Sequence, residues 1–250
     1  FKVFSCSLLF SFIFFVLPFK EAFAVRTTYE SFVSTDAQKI QFIGDISGGQ
    51  FGSALASGDF NNDGIDDLVV GSPFSSTGMN DWNGKVSIIF GKNVFKNKTF
   101  DLKKSFPDIS IFGEGSGDQF GTSIAVGDFN GDGLKDLAVS AYNAYLYDVV
   151  RPGKVYVFYN QSLVSSHVID LSISSPDVLF IGNSNGDNFG LSLKASDLNR
   201  DNVDDLLIGA PNASAFNVPK CGAVYAFYGK LTSGFKYPLY DMKNKRPNAT

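Results

Sequence analysis

Residues 51 to 73 read Phe51-Gly52-Ser53-Ala54-Leu55-Ala56-Ser57-Gly58-Asp59-Phe60-Asn61-Asn62-Asp63-Gly64-Ile65-Asp66-Asp67-Leu68-Val69-Val70-Gly71-Ser72-Pro73. The stretch holds a small-residue run, an acidic loop and an apolar run, and it returns twice. Phe51-Gly52, Phe120-Gly121 and Phe189-Gly190 stand 69 residues apart, as do Asp59, Asp128 and Asp197. Gly84, Gly153 and Gly222 keep that spacing, and so do Gly44, Gly113 and Gly182, each ending an apolar run. Four features in one register through three copies define an internal repeat.

Each copy reads as four short strands. Upstream lies an apolar run such as Ile40–Ile43, Ile109–Phe112 or Val178–Ile181. A small-residue strand starts at the Phe-Gly pair, and the acidic loop leads into Leu68-Val69-Val70, Leu137-Ala138-Val139 or Leu206-Leu207-Ile208. The last strand follows the glycine, as in Val86–Phe90 and Val155–Tyr159. Short runs bounded by Gly, Asn, Asp and Pro, without a helical period between them, predict an all-β chain. Four strands per repeat predict a β-propeller, with copies around 40–105, 106–175 and 176–245. A closed propeller takes at least four blades, so the three copies read as part of a longer molecule.

The acidic loops share the form D-x-N-x-D-G/N-x-x-D. They set Asp59, Asn61, Asp63, Ile65 and Asp67 against Asp128, Asn130, Asp132, Leu134 and Asp136, and against Asp197, Asn199, Asp201, Val203 and Asp205. Side-chain oxygens at positions 1, 3, 5 and 9, with the backbone carbonyl at 7, suit a hard cation that takes six to eight oxygens. Gly64 and Gly133 permit the sharp turn, and Asn202 is the next best residue for a left-handed backbone. An EF-hand would need Glu at position 12, where Val70, Val139 and Ile208 stand inside strands. The loops therefore predict about three structural Ca²⁺ ions. At position 8, Asp66, Lys135 and Asp204 vary in charge and read as solvated.

Phe-Gly, then the acidic loop, then Gly71-Ser72-Pro73 or Gly209-Ala210-Pro211, resembles the FG-GAP repeat of integrin α-subunit N-terminal propellers. Ser140-Ala141-Tyr142 departs from the pattern in the second copy. The resemblance covers about residues 40–230. It implies a seven-bladed propeller, calcium on one face, ligand-binding loops on the other, and a β-type partner subunit if the chain is an integrin. Similar repeats occur in secreted phospholipases and microbial surface proteins.

The composition agrees with an ordered, β-rich chain: 250 residues, 44% hydrophobic and 18% charged, with 25 Gly and 26 Phe. A net charge of −4 argues against a nucleic-acid partner, which calls for a basic stripe. Lys2, the apolar run Val3–Leu17 and Ala22-Phe23-Ala24 read as a secretory signal over 1–24, and so as a secreted or cell-surface protein. Cys221 is then the single cysteine of residues 25–250. Asn97, Asn160, Asn212 and Asn248 head N-x-S/T sequons compatible with that route.

No H-E-x-x-H motif occurs, and His167 lies in a linker, so the residues predict no enzyme. The loops Phe74–Asn83, Asn143–Pro152 and Asn212–Cys221 carry Phe74, Arg151 and a set of aromatic side chains. Trp82, Tyr142, Tyr145, Tyr147, Arg151 and Phe216 are the candidate anchors for an extracellular protein or glycan ligand. An adhesion module is the first expectation. The alternatives are an accessory propeller of a secreted hydrolase, such as a phospholipase D-like enzyme, or a glycan-binding propeller.

Overall fold

A computed structural model describes residues 40–77, 81–92, 99–146, 151–231, 234–235, 239–243 and 246–247. The segment read as a signal, together with Tyr147, Asn97 and Asn248, lies outside the described residues. Each copy contributes three antiparallel strands. They are β2 (Ala54–Gly58), β3 (Asp67–Ser72) and β4 (Lys85–Ile89) in the first copy. In the second they are β7 (Ile124–Gly127), β8 (Asp136–Ala141) and β9 (Lys154–Phe158). In the third they are β12 (Ser192–Ser196), β13 (Asp205–Ala210) and β14 (Ala223–Phe227). Register pairs such as Val69↔Ile88, Ala138↔Val157 and Leu207↔Ala226 set the second strand of each copy between the other two. The architecture is nearly all-β and is that of a partial β-propeller.

The apolar runs that precede each Phe-Gly pair close the sheet of the copy before. β6 (Ile109–Phe112) pairs antiparallel with β4, Ile111 opposite Val86, and β11 (Val178–Ile181) does so with β9. β1 (Gln41–Ile43) holds the same place in the first copy and lies in a separate sheet. Sheet and sequence copy are thus offset by one strand, because an extended apolar run does not encode which neighbour it joins. Three-residue strands add a further rung: β5 (Thr99–Asp101), β10 (Val168–Asp170) and β15 (Leu239–Asp241) run parallel to β1, β6 and β11. β16 (Arg246–Pro247) pairs with β15, and a single helical turn, α1 (Asn160–Val164), follows β9.

Two cores lie between the three sheets, and the second sheet feeds both. β9 turns Tyr156 and Phe158 into the core shared with the first sheet, and Val155 and Val157 into the core shared with the third. A central strand covered on both faces has no polar side, so β3, β8 and β13 are continuous apolar runs instead of alternating ones. The inner strands carry small residues because neighbouring sheets converge there. A side chain at Gly58 would meet Val126, and one at Gly127 would meet Ala195 and Asp204.

The Phe-Gly pairs lock sheet to sheet. Phe120 and Phe189 are buried, and the glycines 113 and 182 leave room for their Cβ atoms. Gly121 N–H bonds the Ser140 carbonyl at 2.9 Å, and Gly190 N–H bonds that of Gly209 at 2.9 Å. The two halves of the repeat signature are therefore hydrogen-bonded partners, and the substitution of Ser140 in the second copy leaves the bond intact.

Candidate functional site

The acidic loops fold alike. Asp63 N–H bonds Oδ1 of both Asp59 (3.1 Å) and Asn61 (3.0 Å), and Gly64 N–H bonds Asp59 Oδ2 (2.8 Å). Asp132 and Gly133 repeat this toward Asp128 and Asn130, as do Asp201 and Asn202 toward Asp197 and Asn199. The position-5 carboxylate accepts from the N–H of Ile65, Leu134 or Val203, so positions 1, 3 and 5 are drawn to one side of each loop. Gly64, Gly133 and Asn202 all hold a left-handed φ of 64° to 85°, as the turn requires.

The position-9 carboxylates Asp67, Asp136 and Asp205 are buried. Each accepts two backbone N–H groups: Phe60 and Gly91 for Asp67, Phe129 and Asn160 for Asp136, Leu198 and Gly229 for Asp205. They tie the loop to the segment that follows the last strand of the copy, beside it at the same end of the sheet. Burial pushes the Asp136 carboxyl up to about 7, and the charges of Asp132 and Asp128 push the same way. Burial also raises Asp67, with Asp59 adding to it. Among the described residues no three Asp, Glu, His or Cys side chains close around a common point. The donor set of one loop, three carboxylates, an amide and a backbone carbonyl, is nonetheless all oxygen and fits a hard divalent cation.

Asp204, read as solvated, is half-buried, and its Oδ2 accepts the Asp128 N–H at 2.9 Å. Asp204 N–H returns a bond to the Asp128 carbonyl at 2.8 Å, so the second and third loops are joined. Asn160, a sequon asparagine, is buried and donates to the carbonyls of Phe60 (2.9 Å) and Lys135 (3.2 Å), joining the first loop to the second. Neither tie was legible in the sequence, because both cross between copies.

At the opposite end of the sheets the longer loops form one surface. Gly117 N–H bonds the Asp81 carbonyl, Gln119 N–H that of Trp82, and Gly186 N–H that of Arg151. Trp82 is 56% exposed and meets Phe74 edge-on at 6.1 Å, while Phe216 is fully exposed. Tyr142 is half-buried. Arg151 lies 4.2 Å over the Tyr145 ring, and its guanidinium bonds the Tyr145 hydroxyl and Asn143 Oδ1. The structure thus joins Tyr145 to Arg151 and leaves Trp82 and Phe216 as separate projections. The sequence reading missed the residues beneath them: Lys85 paired with Asp45 at 2.7 Å, and Lys154 with Glu114 at 2.6 Å. Their signal was present, since Asn183 and Ala223 replace both partners together in the third copy.

Locked blades, a repeated acidic loop and one composite loop surface define a propeller-type repeat protein. The chain is an FG-GAP repeat protein, with that repeat matching residues 51–89, 120–158 and 189–227. It is 38% identical over 196 residues to the "Phosphatidylinositol-glycan-specific phospholipase D" of Bos taurus, covering 78% of this chain and 22% of that protein. It is 34% identical over 201 residues to "Integrin alpha-PS5" of Drosophila melanogaster, covering 79% of this chain and 17% of that one. "Integrin alpha-5" of Xenopus laevis matches at 31% over 185 residues, 72% of this chain and 15% of the relative. The chain therefore spans about a fifth of the length of these relatives or less. No described helix is long and apolar enough to cross a membrane.

Proposed function

We propose that this is a calcium-braced recognition module of the extracellular space, presenting its composite loop surface to a protein or glycan ligand in adhesion. The observation that carries the reading is the acidic loop itself, folded by the same hydrogen bonds three times. Carboxylates crowded on one loop repel each other, and a bound divalent ion would supply the opposing charge. Asp59, Asn61, Asp63, the Ile65 carbonyl and Asp67 would hold it in the first copy, with the matching residues in the others. The reading assigns these residues no catalysis. Similarity to integrin α-chains supports adhesion with a β-type partner subunit.

A second reading has its own support. The higher identity to a phospholipase D specific for phosphatidylinositol-glycan favours a propeller that is the accessory of a secreted hydrolase. The neighbouring coding sequence separates the two: stalk domains and a spanning helix mean adhesion, a catalytic domain means the hydrolase. Calorimetric titration of chelator-stripped protein with CaCl2 tests what both readings share. About three ions are expected, and Asp63→Ala, Asp132→Ala and Asp201→Ala should each remove one. Heat-silent titration of the folded parent would defeat the calcium reading.

A further inference from the structure

An open cavity of about 490 Å³ lies on the loop surface of the second copy, lined by Glu114, Gly115, Ser116, Asp118, Tyr145, Leu146 and Lys154. Its floor is polar and firmly held. Lys154 Nζ at 2.6 Å and the Tyr156 hydroxyl at 2.9 Å both donate to Glu114 Oε2. Asp118, 3% exposed, accepts the N–H of Gly115 at 3.0 Å and of Tyr145 at 3.3 Å. Its wall is the Tyr145 ring, fixed from outside by Arg151.

The other copies act as internal controls. Positions 114, 118, 145, 154 and 156 correspond to Asp45, Gly49, Ser76, Lys85 and Ser87 in the first copy. In the third they correspond to Asn183, Asp187, Ser214, Ala223 and Tyr225. What all copies share serves the fold. The two acids, the lysine and the aromatic wall assemble in the middle copy alone, so the blade does not require them.

The chemistry narrows the ligand. An anion would face two carboxylates, with the one ammonium already bound to Glu114. A cationic group would compete with Lys154 for the same carboxylate. What the cavity offers is a set of fixed acceptor oxygens beside an aromatic ring and Leu146. That suits a neutral ligand rich in hydroxyl groups, which donates to the oxygens and lays its C–H face on the ring. We propose that the cavity bounded by Glu114, Asp118, Tyr145 and Lys154 is a subsite for a neutral sugar. It rests on the recognition-module reading and names the ligand class of that surface.

Ligand-observed saturation-transfer NMR of the chain in CaCl2 tests it. The probes are methyl α-mannoside, methyl β-galactoside and methyl β-N-acetylglucosaminide, with an acetylated arginine amide and inorganic phosphate as competing classes. At least one glycoside should respond. Its apparent affinity should fall about tenfold or more in Tyr145→Ser, and again in Glu114→Asn with Lys154→Ala. These variants install residues that other copies hold at the same places. Tyr145→Ser, at the cavity rim, decides alone if the double variant fails to fold. No glycoside response, an equal response in the variants, or binding of only the arginine amide or phosphate would overturn the subsite. Calcium uptake measured on the same sample keeps the two readings apart. Three ions bound without a glycoside response would sink the subsite and leave the module standing.

Discussion

At position 9 of each acidic loop a carboxylate faces inward and holds two backbone N–H groups. Removing it orphans both donors in a buried setting, which costs roughly 2–4 kcal/mol. Asp205→Ala should therefore lower the denaturant midpoint strongly in calcium-free buffer, whereas Asp201→Ala, at an exposed position, should hardly move it. A different carboxylate sets a pH dependence. Burial pushes Asp118 up to about 6, with Lys154 and the Tyr145 and Gly115 amides opposing. The fold then keeps a proton that the unfolded chain, at about 3.9, has released. Stability should fall as pH rises from about 4 to about 6 and level off above, by at most about 3 kcal/mol. Asp118→Asn should flatten that segment of the stability–pH curve measured by urea unfolding. An unchanged slope would mean that another group sets it.

At the scale of the element, one glycine in three contexts separates strain from collision. Gly84, Gly153 and Gly222 all hold φ near +80°. A Cβ at Gly84 or Gly153 would run into the Phe120 or Phe189 carbonyl, whereas at Gly222 its nearest neighbour is the Pro211 carbonyl at 3.2 Å. Gly222→Ala should cost about 1–2 kcal/mol for the left-handed backbone. Gly153→Ala should cost more, or abolish the cooperative melt seen by circular dichroism. Asn160 gives a second contrast. Its amide is already spent on two carbonyls, so protein from a secretory host should carry no glycan there, as peptide mass spectrometry would read. Asn212, half-buried in a surface loop, is the described sequon with access. The repeated glycines and the strands between them were legible because their spacing never slips. The one-strand offset and the rungs β5, β10 and β15 were not, since hydrogen bonding between distant runs leaves no local signature. Among the candidate anchors, sequence placed Tyr145 and Arg151 on one loop but could not show that each immobilises the other.

For the whole molecule, the ties that matter run between copies: Asn160 to Phe60, Asp128 to Asp204, and the Phe120 N–H to the Asn83 carbonyl. Loops so joined should respond together. Calcium should raise the melting temperature as one transition, and Asp132→Ala in the central copy should lower that gain more than Asp63→Ala, because its loop contacts both neighbours. Two independent transitions in a calorimetric scan would contradict it. The offset of sheet against copy has a consequence of another kind. The first and second sheets borrow their outer strands from the next period, and the repeated features stay 69 residues apart, so the described copies share no seam. Excising one full period from any starting residue rejoins equivalent neighbours and leaves each remaining sheet whole. A gene of this design can lengthen or shorten by recombination at arbitrary breakpoints, and selection then has only the copy-specific loops to sort.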